Sequence, residues 1–528
     1  MARGVAAGRA RLLHTTAAPR RASPENAVPA EWLRRILDRS EPPPRLYAWT
    51  LANLPGATTP TATRAADARI GDDDSNADRR RIYVLGVGNM GRLYATCLAR
   101  RRPAAERPPI TLVVHRRELL EHWAAQPGIE LVRAGDRAGE RCADFDVEWW
   151  TEARPAVGPV AEPAAMIPNL VVATKAADAL PMVDRLRGRL GAGSTVAFTQ
   201  NGMCKLWPPM GEAYVRARFS SASSAFDEGA DDVGGGGGGG GPNWLACVTT
   251  HGVTSLGPFR SLHAAPANAL VGPVLLNQAT AHKAEYLMEQ LTQAPGLDCR
   301  RVSRRELWVA QLEKLVVNST INPLTAVLRC KNGELFTKKG EDDDLTPVID
   351  ALVDEASKVL CALVMDPSSE PILAGESDRE TLLERFSFPR LREMLLAVGQ
   401  KVAENTSSML QDVRAGKQTE IDDFNGWLVE TARYVNKDLR LPWHEMLIAL
   451  EMEGSPGKQS RYSKAWKYRT ETPREDDPVR IASIERLESV YEVLLKAAPP
   501  QRSDNESPSK QESYSLKPGP LLIYLVAG

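Results

Sequence analysis

The stretch "YVLGVGNMGRLYATCLARR", residues 83–101, constrains the fold more than any other part of this 528-residue chain. An apolar run ends in Gly86, Gly88 and Gly91, and a helix-forming run follows. In a strand-to-helix turn of this spacing the first glycine permits the tight turn. The second lets a pyrophosphate approach the backbone, and the third lets helix and strand pack closely. The N–H groups at the helix start then face an anion. Gly86, Val87, Gly88, Asn89, Met90 and Gly91 are therefore the candidate cofactor cradle. The alternative is a glycine-rich turn that holds no ligand.

The surroundings of the turn support a Rossmann-type sheet. "IYVLGVG" (82–88), "ITLVVH" (110–115), "NLVVATK" (169–175), "STVAFTQNG" (194–202) and "WLACVTTHGV" (244–253) read as strands alternating with helical stretches. An NAD site usually places an acidic side chain at the end of the second strand. Here that strand ends in His115, Arg116 and Arg117, and a guanidinium suits a 2′-phosphate, so NADP(H) is favoured over NAD. The alternative is that these arginines are solvated surface.

From about 301 to 452 apolar residues recur three and four apart, the mark of helices. The expected fold class is an α/β Rossmann-type N-terminal domain (81–300) followed by an all-α C-terminal domain (301–453). Residues 27–80 read as a weakly structured lead-in containing one possible helix, "AEWLRRILDR". The Pro/Ala-rich 153–166 and the segment 220–242, with eight consecutive glycines, read as surface insertions. Residues 366–385 read as a polar break between helices, and 454–528 as a tail with one plausible helix, "ASIERLESVYEVLLKAA".

Composition excludes several partners. Lys plus Arg (66) nearly balance Asp plus Glu (67), which gives no electrostatic case for nucleic acid or a membrane surface. No apolar run approaches the roughly 20 residues needed to span a bilayer. Seven cysteines without a CxxC pair argue against a disulfide framework or zinc site, and the histidines form no ligand-spaced cluster, so no metal is expected. The first 22 residues hold five arginines and no acidic residue. Such a start reads as a mitochondrial transit peptide, with a matrix location expected; the alternative is a basic tail on a cytoplasmic protein.

The second domain carries an unusual line of polar residues. In "WVAQLEKLVVNSTINPLTA" (308–326), Lys314, Asn318 and Asn322 fall at steps of four on one helix face, with Pro323 expected to kink or end the helix at Asn322. A lysine buried among Leu and Val has a depressed pKa and can exchange a proton near neutral pH. The alternative is a lysine snorkelling to the surface, with the asparagines as caps. A second cluster, "ENTSSMLQDVRAGKQTEIDDFNG", puts Asn405 and Ser408 three apart on one expected helix and Glu420 at the first turn of the next. A capping box from Thr419 and Asp422 would explain that acidic turn without any chemistry.

"LEKLVVNSTINPLTA…NGEL" followed by "ENTSSMLQD…TEID…NG" resembles the ketopantoate reductase (2-dehydropantoate 2-reductase) family, with "LGVGNMG", "VVHR", "VVATKA" and "FTQNGM" in the order of its first domain. The resemblance covers about 82–450. It implies an active site between the domains, with Lys314 as catalytic proton donor and Glu420 as the carboxylate that orients the substrate hydroxyl. It further implies that Asn318, Asn322, Asn405 and Ser408 bind substrate, and that Lys175 and Asn201 join the cofactor site.

The expected activity is NADPH-dependent reduction of ketopantoate to pantoate, on the way to pantothenate and coenzyme A. Alternatives are a reductase of another branched 2-oxo acid, or a non-catalytic NADP-binding mitochondrial protein. A small 2-oxo acid is the expected partner, and the chain is expected to act as a monomer or homodimer.

Overall fold

A computed structural model describes residues 31–39, 41–55, 74–100, 107–135, 139–208, 210–219, 240–337, 345–373 and 375–453. The Arg-rich start, the run of glycines up to Gly239 and the tail with its plausible helix lie outside the described residues.

The strands are β1 (Tyr47–Trp49), β2 (Ile82–Leu85), β3 (Ile110–Val114), β4 (Ile129–Arg133), β5 (Glu140–Cys142), β6 (Asp146–Thr151) and β7 (Asn169–Val172). They continue as β8 (Thr195–Phe198), β9 (Asn243–Thr249), β10 (Gly252–Gly257), β11 (Arg260–Ala265), β12 (Ala269–Leu275) and β13 (Cys299–Arg301). Among the described residues nine of them form one sheet in the order β1-β6-β3-β2-β7-β8-β9-β12-β13. From β6 to β9 every pairing is parallel, as the alternation of strands and helices requires. The outer β1 and β12 run antiparallel to their neighbours β6 and β9.

The strand expected over 244–253 is broken. β9 ends at Thr249, where Thr250 donates its backbone N–H to Asn268 (3.0 Å), and β10 enters a separate four-stranded sheet, β10-β11-β4-β5. The described parts of the lead-in, residues 31–39, 41–55 and 74–80, are also more ordered than their composition suggested. The expected helix forms over Glu31–Leu37, and β1 pairs with β6. Asn53 then donates to the carbonyls of Val157 and Pro159, both at 2.8 Å, so the 153–166 insertion is folded over this segment.

Successive residues of the central strands feed opposite faces of the sheet, as a period of two demands. Val84, Val171, Ala197 and Leu245 join the core under the helix Asn89–Ala99. Leu85, Val172, Phe198 and Trp244 join the other core, which runs without interruption into Trp308, Leu312, Leu352 and Phe424 of the helical domain.

That domain is built on the helix Arg304–Leu328. Ser303 caps it, accepting from the Glu306 N–H (3.2 Å) while Glu306 accepts from the Ser303 N–H (2.8 Å). Pro323, expected to kink or end the helix at Asn322, does not end it: the helix runs on to Leu328. A proline leaves the carbonyl four residues earlier without its helical donor. Here that carbonyl, Ser319, accepts from the Asn425 side-chain amide at 2.9 Å. A neighbouring helix thus supplies the bond that the proline removes. Residues 366–385, expected as a polar break, contain a helix over Glu376–Arg385.

Candidate active site

The glycine turn has the geometry its sequence demands. Gly86 sits at φ +94°, and a Cβ there would lie 2.9 Å from the Ala173 carbonyl carbon. A Cβ on Gly91 would lie 2.0 Å from the Gly86 carbonyl oxygen, so only glycine fits. A Cβ on Gly88 would meet nothing within 4 Å, leaving open space above the start of the helix Asn89–Ala99. This is a cradle that a pyrophosphate fits. The Asn89 side chain serves the fold, accepting from Ser261 Oγ (3.1 Å) and donating to the Val253 carbonyl (3.2 Å). Its backbone N–H remains at the helix start, alongside that of Met90.

Arg92, which sequence reasoning missed, clamps the turn from below. Its buried guanidinium donates to the carbonyls of Val87 (3.0 Å), Gly257 (2.8 Å) and Arg260 (2.8 Å). Burial pushes its pKa down to about 10. In "GNMGR" nothing local distinguishes it from a surface arginine. Arg116 caps the helix Arg117–Ala125 with an extended backbone, and its side chain is 58% exposed.

From the helical domain, Lys314 donates to Asn201 Oδ1 (2.9 Å) and to the Thr249 carbonyl (2.6 Å). Asn201 lies in the loop after β8. Gly202, at φ +80°, lets this loop press on the helix Ile421–Val435, where a Cβ would come 3.0 Å from the Asp423 carbonyl oxygen. The same Asn201 donates through Nδ2 to Glu420 Oε2 at 3.5 Å. One carboxamide therefore joins the two groups expected to act together.

The electrostatics follow from burial. Loss of solvent pushes Lys314 down to about 8, against the opposing pull of the Glu420 charge. Burial also raises Glu420, with the Lys175 ammonium holding it back. Lys175 donates to Asp412 Oδ2 (2.8 Å), so this residue of the first domain reaches the second. Burial opposes its protonation, but the fields of Glu420, Asp412 and Asp423 raise its pKa overall.

Asn318 is half-buried and Asn322 buried on the Lys314 line, and neither side chain has a hydrogen-bond partner among the described residues. Both carry free donors and acceptors. Asn405 and Ser408 do not share a helix: Asn405 is in a loop and Ser408 begins the helix Ser408–Arg414. Ser407, not Asn405, starts that helix as its cap, accepting from the Leu410 N–H (3.1 Å). Its hydroxyl lies 2.7 Å from that of Thr325, which sets Ser408 beside the far end of the polar line.

Glu420, not Thr419, takes the cap position of the helix Ile421–Val435, without a side-chain cap bond, and the Thr419 hydroxyl accepts from the Ile421 N–H at 3.5 Å. Asn332 was also missed. It is buried with an unpartnered carboxamide oxygen, and its N–H donates to the Asn405 carbonyl (3.1 Å). Its signal was the "NGEL" turn, read only as part of a motif. His251 and His263 bond each other at 3.0 Å and serve the fold. Among the described residues no His, Cys, Asp or Glu group is placed to hold a metal ion.

A glycine cradle on a Rossmann-type sheet, whose neighbouring loops hold an amine and a carboxylate of a helical domain through Asn201, defines a two-domain protein of the dinucleotide-binding class. Residues 82–275 match the family ketopantoate reductase PanE/ApbA, and residues 306–453 match ketopantoate reductase PanE/ApbA C terminal. The chain belongs to the ketopantoate reductase family of oxidoreductases.

It is 40% identical to ketoisovalerate reductase BEA2 of Gibberella fujikuroi over 451 residues, 79% of this chain and 94% of that one. It is 40% identical to the ketoisovalerate reductase of Beauveria bassiana over 470 residues, 81% and 96% of the two chains. To the probable 2-dehydropantoate 2-reductase of Schizosaccharomyces pombe it is 26% identical over 365 residues, 66% and 90%.

Proposed function

We propose that this chain reduces a branched 2-oxo acid to the 2-hydroxy acid with NADPH, and that 2-ketoisovalerate is its first substrate. The observation that carries the reaction class is the Lys314 ammonium held between Asn201 and Thr249, with Glu420 on the same carboxamide. The substrate reading rests on the relatives. Those at 40% identity, aligned over about four-fifths of the chain, are named ketoisovalerate reductases, whereas the 2-dehydropantoate reductase from fission yeast stands at 26%. The order of substrates expected from the motifs is thereby reversed.

A nicotinamide, when bound, supplies the hydride for such a reduction. The protein positions and polarises. Negative charge grows on the carbonyl oxygen in the transition state, and a protonated Lys314 stabilises it and delivers the proton. Asn318 and Asn322 offer neutral donors for the carboxylate, which leave the lysine charged. The charge of Glu420 raises the lysine pKa. The open space over Gly88 and the exposed Arg116 suit an NADP pyrophosphate and 2′-phosphate.

Ketopantoate is the second reading, favoured by Glu420, whose carboxylate can accept from that acid's primary hydroxyl. The test is NADPH consumption by the purified protein with each acid, with the product identified. A higher kcat/KM for 2-ketoisovalerate is expected; a preference for ketopantoate reverses the order, and no turnover of either acid ends the proposal.

A further inference from the structure

Residues 47–54 precede the part of the chain that matches the family, yet they reach the end of β3 where the second-strand arginines stand. The register is continuous across three strands: Trp49 pairs with Trp149, and Trp149 pairs with Val114, the last residue of β3. Trp49 is buried. Its ring lies 5.3 Å from that of Trp149, and its indole N–H donates to the Ala153 carbonyl at 2.7 Å.

The Arg117 guanidinium rests over the Trp49 ring at 5.9 Å and donates to Glu121 at 2.9 Å. It is therefore committed on two sides. Among the described residues Arg116 has only a 3.9 Å contact with Glu118, which leaves its guanidinium the available one of the pair.

We propose that Trp49 is a positioning residue for recognition of the cofactor's 2′-phosphate, fixing Arg117 and the end of β3 so that Arg116 is the guanidinium presented to it. This rests on the NADP reading above. A phosphate clamp needs its cation held in one place, because a mobile arginine loses side-chain entropy on binding. A ring beneath the neighbouring arginine restricts the turn without touching the ligand.

The test uses the full chain, titrated calorimetrically with 2′,5′-ADP and with ADP, which share the adenosine and differ in the position of one phosphate. KM for NADPH and NADH is measured alongside. The wild type is expected to bind 2′,5′-ADP about tenfold or more tightly than ADP, as a charge-assisted phosphate contact should allow. Trp49→Leu is expected to lose most of that preference and to raise KM for NADPH about fivefold or more, with kcat and ADP affinity kept. Trp49→Phe, which retains an aromatic face, is expected to keep the preference.

Arg117→Met, at a half-exposed site, should reproduce the Trp49→Leu loss even if the latter folds poorly. Equal weakening of both nucleotides in Trp49→Leu, or an unchanged preference in Arg117→Met, overturns the proposal. A wild type without preference, and with no response to Arg116→Ala, overturns the NADP reading and this inference together.

Discussion

The Lys314 ammonium donates to the Asn201 carboxamide across 2.9 Å, so a loop of the sheet domain sets the amine of the helical domain. With Thr249 as second acceptor, the amine is oriented by two strand ends before any substrate arrives. Preorganisation of this kind is worth most in a site withdrawn from water.

Lys314→Ala should therefore lower kcat by a factor on the order of 10² or more, as loss of a general acid does. The wild-type kcat/KM for reduction should fall as pH rises through about 8, where the lysine loses its proton. Glu420 holds that pKa up, so in Glu420→Gln the alkaline limb should move to lower pH. A profile flat to pH ~10, or a limb that moves upward, contradicts the assignment.

The glycine turn separates binding from folding. Gly88→Ala adds a methyl group to open space at an ordinary φ of −75°, so thermal stability should hold while KM for NADPH rises. In Gly91→Ala the methyl group would collide with the Gly86 carbonyl, and the melting temperature should drop sharply. Equal melting temperatures for the two variants would show that the close packing is not what Gly91 provides.

Asn425 supplies the hydrogen bond that Pro323 removes from its helix. Asn425→Ala strands the buried Ser319 carbonyl and should cost about 1–3 kcal/mol. In a Pro323→Ala background the restored N–H can serve that carbonyl, so the same substitution should cost less by about 1 kcal/mol. Additive losses in denaturant titrations would uncouple the two residues.

For the N-terminus we propose mitochondrial import. A reporter fused to residues 1–40 should enter mitochondria, and a diffuse cytosolic signal would refute it.

What the sequence disclosed was local. The glycine spacing, the alternation of strands with helices and the four-residue step from Lys314 to Asn322 are short-range patterns, and each is realised in the structure. What stayed hidden depends on partners far along the chain. Arg92 draws on Gly257 and Arg260, and β1 on a strand a hundred residues later. Proline rules foretold a kink or an end to the helix at Asn322 because they count only donors within the helix, and Asn425 lies outside that count.

The uninterrupted apolar mass from Phe198 and Trp244 to Trp308 and Leu312 removes any seam along which the molecule might be divided. Severing the backbone between residues 301 and 304 would bare a greasy surface on each half. Such halves should precipitate when made alone and recover solubility only when produced together, so the boundary that divides the two motif regions is no boundary for unfolding.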